Sequence, residues 1–145
     1  MPPPKPRTEK KVCYWVWGDA GTGKSRAARV GDHYVKLGTK WWDGYTGQKR
    51  VVIDDLGIEA GKALLDKIKL WADPWYDQPG ETKGGCIPLT YDKLIVTANW
   101  HPRDLWTGVN LDAIMRRFEF TDELKAEEKS DEEKMITLDD VANQV

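Results

Sequence analysis

With 145 residues, 40% of them hydrophobic and 32% charged, the chain has the size of one globular domain with a real core. No apolar run approaches the roughly 20 residues that span a bilayer, and the opening MPPPKPR lacks the hydrophobic centre of a secretory signal. A soluble, intracellular protein without a membrane partner is expected. The net charge of −2 is unevenly spread: residues 121–145 hold nine acidic and three basic side chains, leaving 1–120 mildly basic. That balance permits nucleic-acid contact through a few localised lysines without demanding it.

Residues 1–10 are proline-rich and charged, the composition of a linker or an extended arm. Cys13 and Cys86 offer neither metal-ligand spacing nor a disulfide framework, which suits a reducing compartment. The run VCYWVW at 12–17 reads as a buried strand, and residues 25–30 open a helix. Between them lies GDAGTGKS, a full phosphate-binding loop, GxxxxGK[ST], in its proper strand-to-helix context. Gly18, Gly21 and Gly23, with Thr22 among them, let successive backbone N–H groups curl around phosphate oxygens. Lys24 supplies a point charge to the β and γ phosphates, and Ser25 a hydroxyl ligand for Mg²⁺. A glycine turn that merely joins strand to helix would not need the Lys-Ser pair in that register.

Gly31-Asp32 is a turn, and residues 34–36 a short strand. In KWWDGYTGQKR the adjacent Trp41 and Trp42 have two readings: rings capping the core beneath a loop, or one of them lining a nucleotide or subunit surface. VVIDD ends a buried strand in two carboxylates, and side chains at the carboxyl end of a parallel strand project into the ligand crevice. Asp54 is thereby placed to hold Mg²⁺ and Asp55 to orient or activate the attacking water. Ala60, Leu64, Ile68 and Trp71 recur at helical spacing over 59–72, before Pro74. QPGETKGG then reads as a hairpin tip projecting Lys83, though a solvated loop lysine fits equally. LIVTAN is a third buried strand, with Asn99 emerging beside the aspartates or simply capping the following turn. His33 and His101 have no nucleophile or metal ligands for partners and are read as structural. Leu111, Ile114 and Met115 mark a helical face, Arg116-Arg117 follow, and 118–120 form a last strand. The charged tail is expected to be solvated or disordered, with an edge strand at 135–138.

The ordered set GDAGTGKS, WWDGYTGQ, VVIDD, ETKGG, VTAN and MRRF resembles the helicase domain of the replication-initiator (Rep) proteins of circular single-stranded DNA viruses and related plasmids. The likeness covers residues 11–120. It implies an α/β P-loop NTPase fold of the AAA+ type, with a central, mostly parallel sheet flanked by helices, and superfamily 3 helicase activity. Subunits would form a homo-oligomer, commonly a hexameric ring, burning ATP with Mg²⁺ at their interfaces to draw single-stranded DNA through a pore during rolling-circle replication, in the host nucleus. By this resemblance Lys24 and Ser25 belong to the Walker A motif, Asp54 and Asp55 to Walker B, Asn99 to the polar sensor, and Lys83 to the DNA-gripping pore hairpin. Arg117 fits the arginine finger better than Arg116. The family's nicking endonuclease needs a histidine pair and a tyrosine followed by a lysine; residues 1–10 carry neither, and HYVK at 33–36 falls inside the ATPase core, so no nuclease is expected of it. Residues 1–10 are also too short for the oligomerisation segment that precedes the family's ATPase core. A monomeric P-loop kinase, or a nucleotide-binding assembly module without turnover, are the competing readings.

Overall fold

The computed structural model describes residues 1–18 and 24–120. In chain order the elements are β1 (Lys5–Pro6), β2 (Val12–Trp17), α1 (Lys24–Ala28), β3 (Tyr34–Lys36), β4 (Arg50–Ile53), α2 (Ile58–Trp71), β5 (Tyr76–Asp77), β6 (Pro79–Thr82), β7 (Gly85–Pro88), β8 (Lys93–Ala98), α3 (Gly108–Arg117) and β9 (Glu119–Phe120). Gly21, Thr22 and Gly23, the acidic tail and the expected strand at 135–138 lie outside the described residues.

Strands buried on both faces must be apolar at successive positions rather than at alternate ones. In β4, Val51, Val52 and Ile53 are all fully buried, as are Leu94 to Ala98 in β8. These strands form the middle of a five-stranded sheet, ordered β3-β4-β8-β2-β9, in which every pair is parallel. This is the α/β fold of P-loop NTPases, with helices packed on a parallel sheet. On one face Tyr14, Val16, Val52 and Ile95 pack with Ala28 of α1. The larger core on the other face centres on Trp15, whose ring meets Trp100, Trp106 and Phe118 edge-on at 5.1, 6.1 and 5.5 Å. Edge-to-face contact places the positive ring edge on the negative ring face.

The expected helix at 59–72 is α2, with Leu64, Ile68 and Trp71 buried. Gly61 belongs to the same stripe, because a Cβ there would stand 2.9 Å from the Trp100 ring. The third helix departs from expectation. Ala113 and Ile114 are buried, but Met115 is 42% exposed. Leu111 and Ile114 keep the expected inward face together with Ala113, and a step of about 100° per residue carries Met115 past its edge.

Of the two adjacent tryptophans, one takes the core-capping reading. Trp42 is fully buried, stacked on Tyr91 at 5.6 Å and edge-on to Trp71 at 5.3 Å, so it caps the core. Trp41 stays half-buried, with the Lys40 ammonium 4.5 Å from its ring. The strands β6 and β7 form the expected hairpin, turning at Lys83-Gly84. Proline-rich residues at the start are docked on the body: β1 pairs antiparallel with β5.

Candidate nucleotide site and its surroundings

Because β2, β8 and β4 are parallel neighbours, their carboxyl ends open on the same edge of the sheet. Trp17 lies opposite Ala98, and the next residue, Gly18, donates its N–H to the Ala98 carbonyl at 3.2 Å. Gly18 has φ 148°, a backbone region that favours glycine, and from it the chain leaves the sheet toward α1, which begins at Lys24. Asp54 and Asp55 follow β4, and Asn99 is the first, exposed residue after β8. Gly18, both aspartates and Asn99 therefore share one strand-end edge.

The residue that organises this edge is Thr97, whose role the sequence did not announce. Its hydroxyl donates to Asp54 Oδ1 at 2.8 Å and accepts the Asp55 N–H at 2.7 Å. Its carbonyl accepts the Leu56 N–H at 2.8 Å, so the turn after β4 is pinned to β8 from both ends of one residue. Asp55 takes φ 52°, a left-handed conformation that aspartate tolerates better than most residues, and its side chain is exposed. The other Asp54 oxygen accepts from Arg29, just past α1, at 2.6 Å. A hydroxyl in the strand run LIVTAN was the only signal for Thr97; nothing distinguished Arg29 from a solvated helix charge.

Other expected site residues stand in different neighbourhoods. Lys83 is exposed at the hairpin turn, where its backbone N–H faces the Asp43 carboxylate at 3.3 and 3.4 Å. The hairpin is held to the WWDG loop through Trp42 N–H donating to the Glu81 carbonyl at 2.8 Å. Glu81 also pairs with Lys40 and Lys67, each at 3.1 Å, and hydrogen bonds from Lys67 and then Lys40 hold its carboxyl below the usual range. Arg117 is partly buried; its guanidinium donates to the Lys69 and Ala113 carbonyls at 3.2 and 3.0 Å. Arg116 is exposed next to Met115, and its Nε donates to the Asp112 carbonyl of its own helix at 3.3 Å. His101 caps the turn at Pro102–Asp104 by accepting the Arg103 N–H at 3.0 Å, and its ring stacks on Phe120 at 4.9 Å. Burial, followed by the nearby Arg103 charge, lowers its pKa below the ordinary histidine value.

Comparison with known proteins bears on the same segments. A family model described as RNA helicase matches residues 14–77, from the phosphate-loop strand through the acidic strand end and α2. The replication-associated protein of goose circovirus is 39% identical over 105 residues, 69% of this chain and 34% of that protein. That of porcine circovirus 1 is 33% identical over 113 residues, 74% and 35% respectively. The chain belongs to the helicase-domain family of viral replication-associated proteins. A third relative of that family, from beak and feather disease virus, is 32% identical over 117 residues, covering 78% of this chain and 39% of its own length. The chain thus spans about a third of the length of the curated relatives it matches. Among the described residues, no helix is long and apolar enough to cross a membrane.

Proposed function

We propose that the chain is an ATP-hydrolysing helicase domain that moves on single-stranded DNA during rolling-circle replication in the host cell, working as part of a ring of subunits. The observation that carries this reading is the shared edge of β2, β8 and β4, where the phosphate-loop glycine Gly18, Asp54, Asp55 and Asn99 emerge side by side. Membership of a helicase family implies nucleotide binding and points to an NTP-hydrolysing enzyme. ATP would lie with its phosphates on Gly18, Gly21, Thr22, Gly23, Lys24 and Ser25.

The donor set fits Mg²⁺, which takes one or two protein oxygens and keeps waters and phosphate oxygens for the rest. Asp54 offers a carboxylate already oriented by Thr97, and Ser25 offers a hydroxyl. Held by Asp54 and Ser25, the metal would supply positive charge against that of the phosphates. The Arg29 guanidinium on the other oxygen of Asp54 would compete with the metal for the charge of that carboxylate. Asp55, exposed beside the metal ligand, orients or deprotonates the attacking water, and Asn99 hydrogen-bonds that water or the γ-phosphate. Lys83 on the hairpin grips DNA phosphates.

The arginine finger comes from a neighbouring subunit. Arg117 is the better fit to the family pattern, yet it must leave two carbonyls on its own chain to reach outward, whereas Arg116 is already exposed. A finger supplied in trans is worth about 10³ to 10⁵ in rate. Specific ATPase activity should therefore rise with protein concentration and rise further with single-stranded DNA. A rate per chain independent of both, with phosphate passed to a small-molecule acceptor, would establish the kinase reading. Tight ATP binding without turnover at any concentration would establish the assembly module.

A further inference from the structure

We propose that Arg7 is a positioning residue for the lysine-tipped hairpin, fixing the junction through which the hairpin and the nucleotide edge communicate. This rests on the reading that the hairpin grips DNA. The hairpin strands β6 and β7 are flanked in sequence by Asp77 on one side and Asp92 on the other. Arg7 reaches both: one guanidinium nitrogen lies 2.8 Å from Asp77 Oδ1 and the other 2.7 Å from Asp92 Oδ1. The first also donates to the Tyr91 carbonyl at 3.2 Å. A single side chain, 8% exposed, thus staples the two roots of the hairpin together.

Arg7 is itself anchored. Its backbone N–H donates to the Trp75 carbonyl and that of Lys11 to the Pro74 carbonyl, both at 2.8 Å. The buried Lys11 ammonium donates to the Trp71 and Tyr76 carbonyls at 3.3 and 3.1 Å and lies 3.6 Å from Asp77. With the β1–β5 pairing, these contacts tie the arm to the chain leaving α2.

The consequence lies in β8. It begins at Lys93, directly after the stapled Asp92, and ends at Ala98, directly before Asn99. A load on Lys83 travels down the hairpin to Asp77 and Asp92, and a fixed root passes it into one rigid strand that leads to the nucleotide edge. With the root loose, the same load is absorbed by rotation at residues 77 and 92. A planar guanidinium offers separate nitrogens, held apart in a rigid fork, one to each carboxylate; a lysine brings all its donors from a single flexible point and does not reproduce that span.

The test compares Arg7→Gln, Arg7→Lys, Asp92→Asn and the Arg7→Gln/Asp92→Asn double variant with the unaltered chain, with Lys83→Ala as reference for the hairpin. Mg-ATP affinity and hydrolysis without DNA should stay within about twofold of the unaltered chain. Stimulation of hydrolysis by single-stranded DNA should fall about tenfold in Arg7→Gln, with little rescue by Arg7→Lys. Amide hydrogen exchange should accelerate across residues 78–92 but not in β2 or β4, a local response that general destabilisation would not give. The double variant should be no worse than Arg7→Gln, since both changes cut the same link. Asp92 is 57% exposed, so Asp92→Asn keeps the test open if an Arg7 variant does not fold. Unchanged exchange at 78–92 in both Arg7→Gln and Asp92→Asn, or fully additive effects, would overturn the proposal. If Lys83→Ala leaves DNA binding intact, the gripping role is lost instead, and exchange alone decides whether Arg7 braces the hairpin.

Discussion

At the strand-end edge, two carboxylates emerge within one turn, and like charges so close would spread apart without a fixed donor. The Thr97 hydroxyl supplies it, serving Asp54 Oδ1 and the Asp55 N–H at once. Thr97→Val keeps the shape and removes both bonds, taking the acceptor from the part-buried Asp55 amide and the hydroxyl donor from Asp54 Oδ1. The expected cost is about 1 to 3 kcal/mol of stability. Because displacements near 1 Å at a reacting centre cost up to about a hundredfold, hydrolysis should slow roughly tenfold to a hundredfold. Steady-state ATPase rates beside urea unfolding check both numbers, and an unaltered rate would remove Thr97 from the site. Asp54, Asp55 and Asn99 were legible in sequence because each ends an apolar run, and a run's end is a position in space once the sheet is parallel. Thr97 was not, since a β-branched residue inside a strand looks like ordinary strand composition. Arg7 was hidden for the opposite reason: it sits in a proline-rich arm with no periodicity to place it.

Among the elements, the short strand β3 is fastened by a buried charge. Lys36 is fully buried; its ammonium donates to the carbonyls of Leu37, Thr39 and Trp41 and lies 4.9 and 4.7 Å from the Trp42 and Trp71 rings. It thereby ties β3 to the WWDG loop and to α2. Burial pushes its pKa down to about 8 from an ordinary 10.5. Below about pH 8 the folded and unfolded chains both carry the proton, and the cost of burying the charge, offset by carbonyls and ring faces, is fully present. Between about 8 and 10.5 the unfolded chain holds more protons, so this group makes stability rise with pH, by at most about 1.4 kcal/mol per unit. Lys36→Met removes that slope. Unfolding in urea at pH 7.5 and pH 10 should show the unaltered chain gaining roughly 1 to 2 kcal/mol on the variant; parallel pH dependence would contradict it. Strands and hairpin were readable from apolar runs and from the glycines around Lys83. The facing of α3 was readable at Leu111 and Ile114 but not at Met115, which lies exposed where Ala113 turns inward. Arg117 meets the Lys69 carbonyl near the end of α2, a contact that no local pattern encodes.

For the whole molecule, the sheet order inserts β8 between β4 and β2, so the two strands that carry the phosphate loop and the acidic pair never touch directly. Local sequence does not state that order, because a run of apolar residues marks a buried strand without naming its neighbours. With β8 central, the same strand carries Thr97, leads to Asn99 and starts at the hairpin root. All of this depends on a single Mg-triphosphate seated at the common strand-end edge. Calorimetric titration of ATP, with Mg²⁺ and with EDTA, into the unaltered chain, Lys24→Ala and Asp54→Asn tests it most directly. One ATP per chain should bind, more tightly with Mg²⁺; Lys24→Ala should weaken binding at least about tenfold, the equivalent of 1.4 kcal/mol, and Asp54→Asn should bind ATP but lose the advantage of the metal. Equal affinity in all three proteins, or no difference between Mg²⁺ and EDTA in the unaltered chain, would contradict a nucleotide site at that edge.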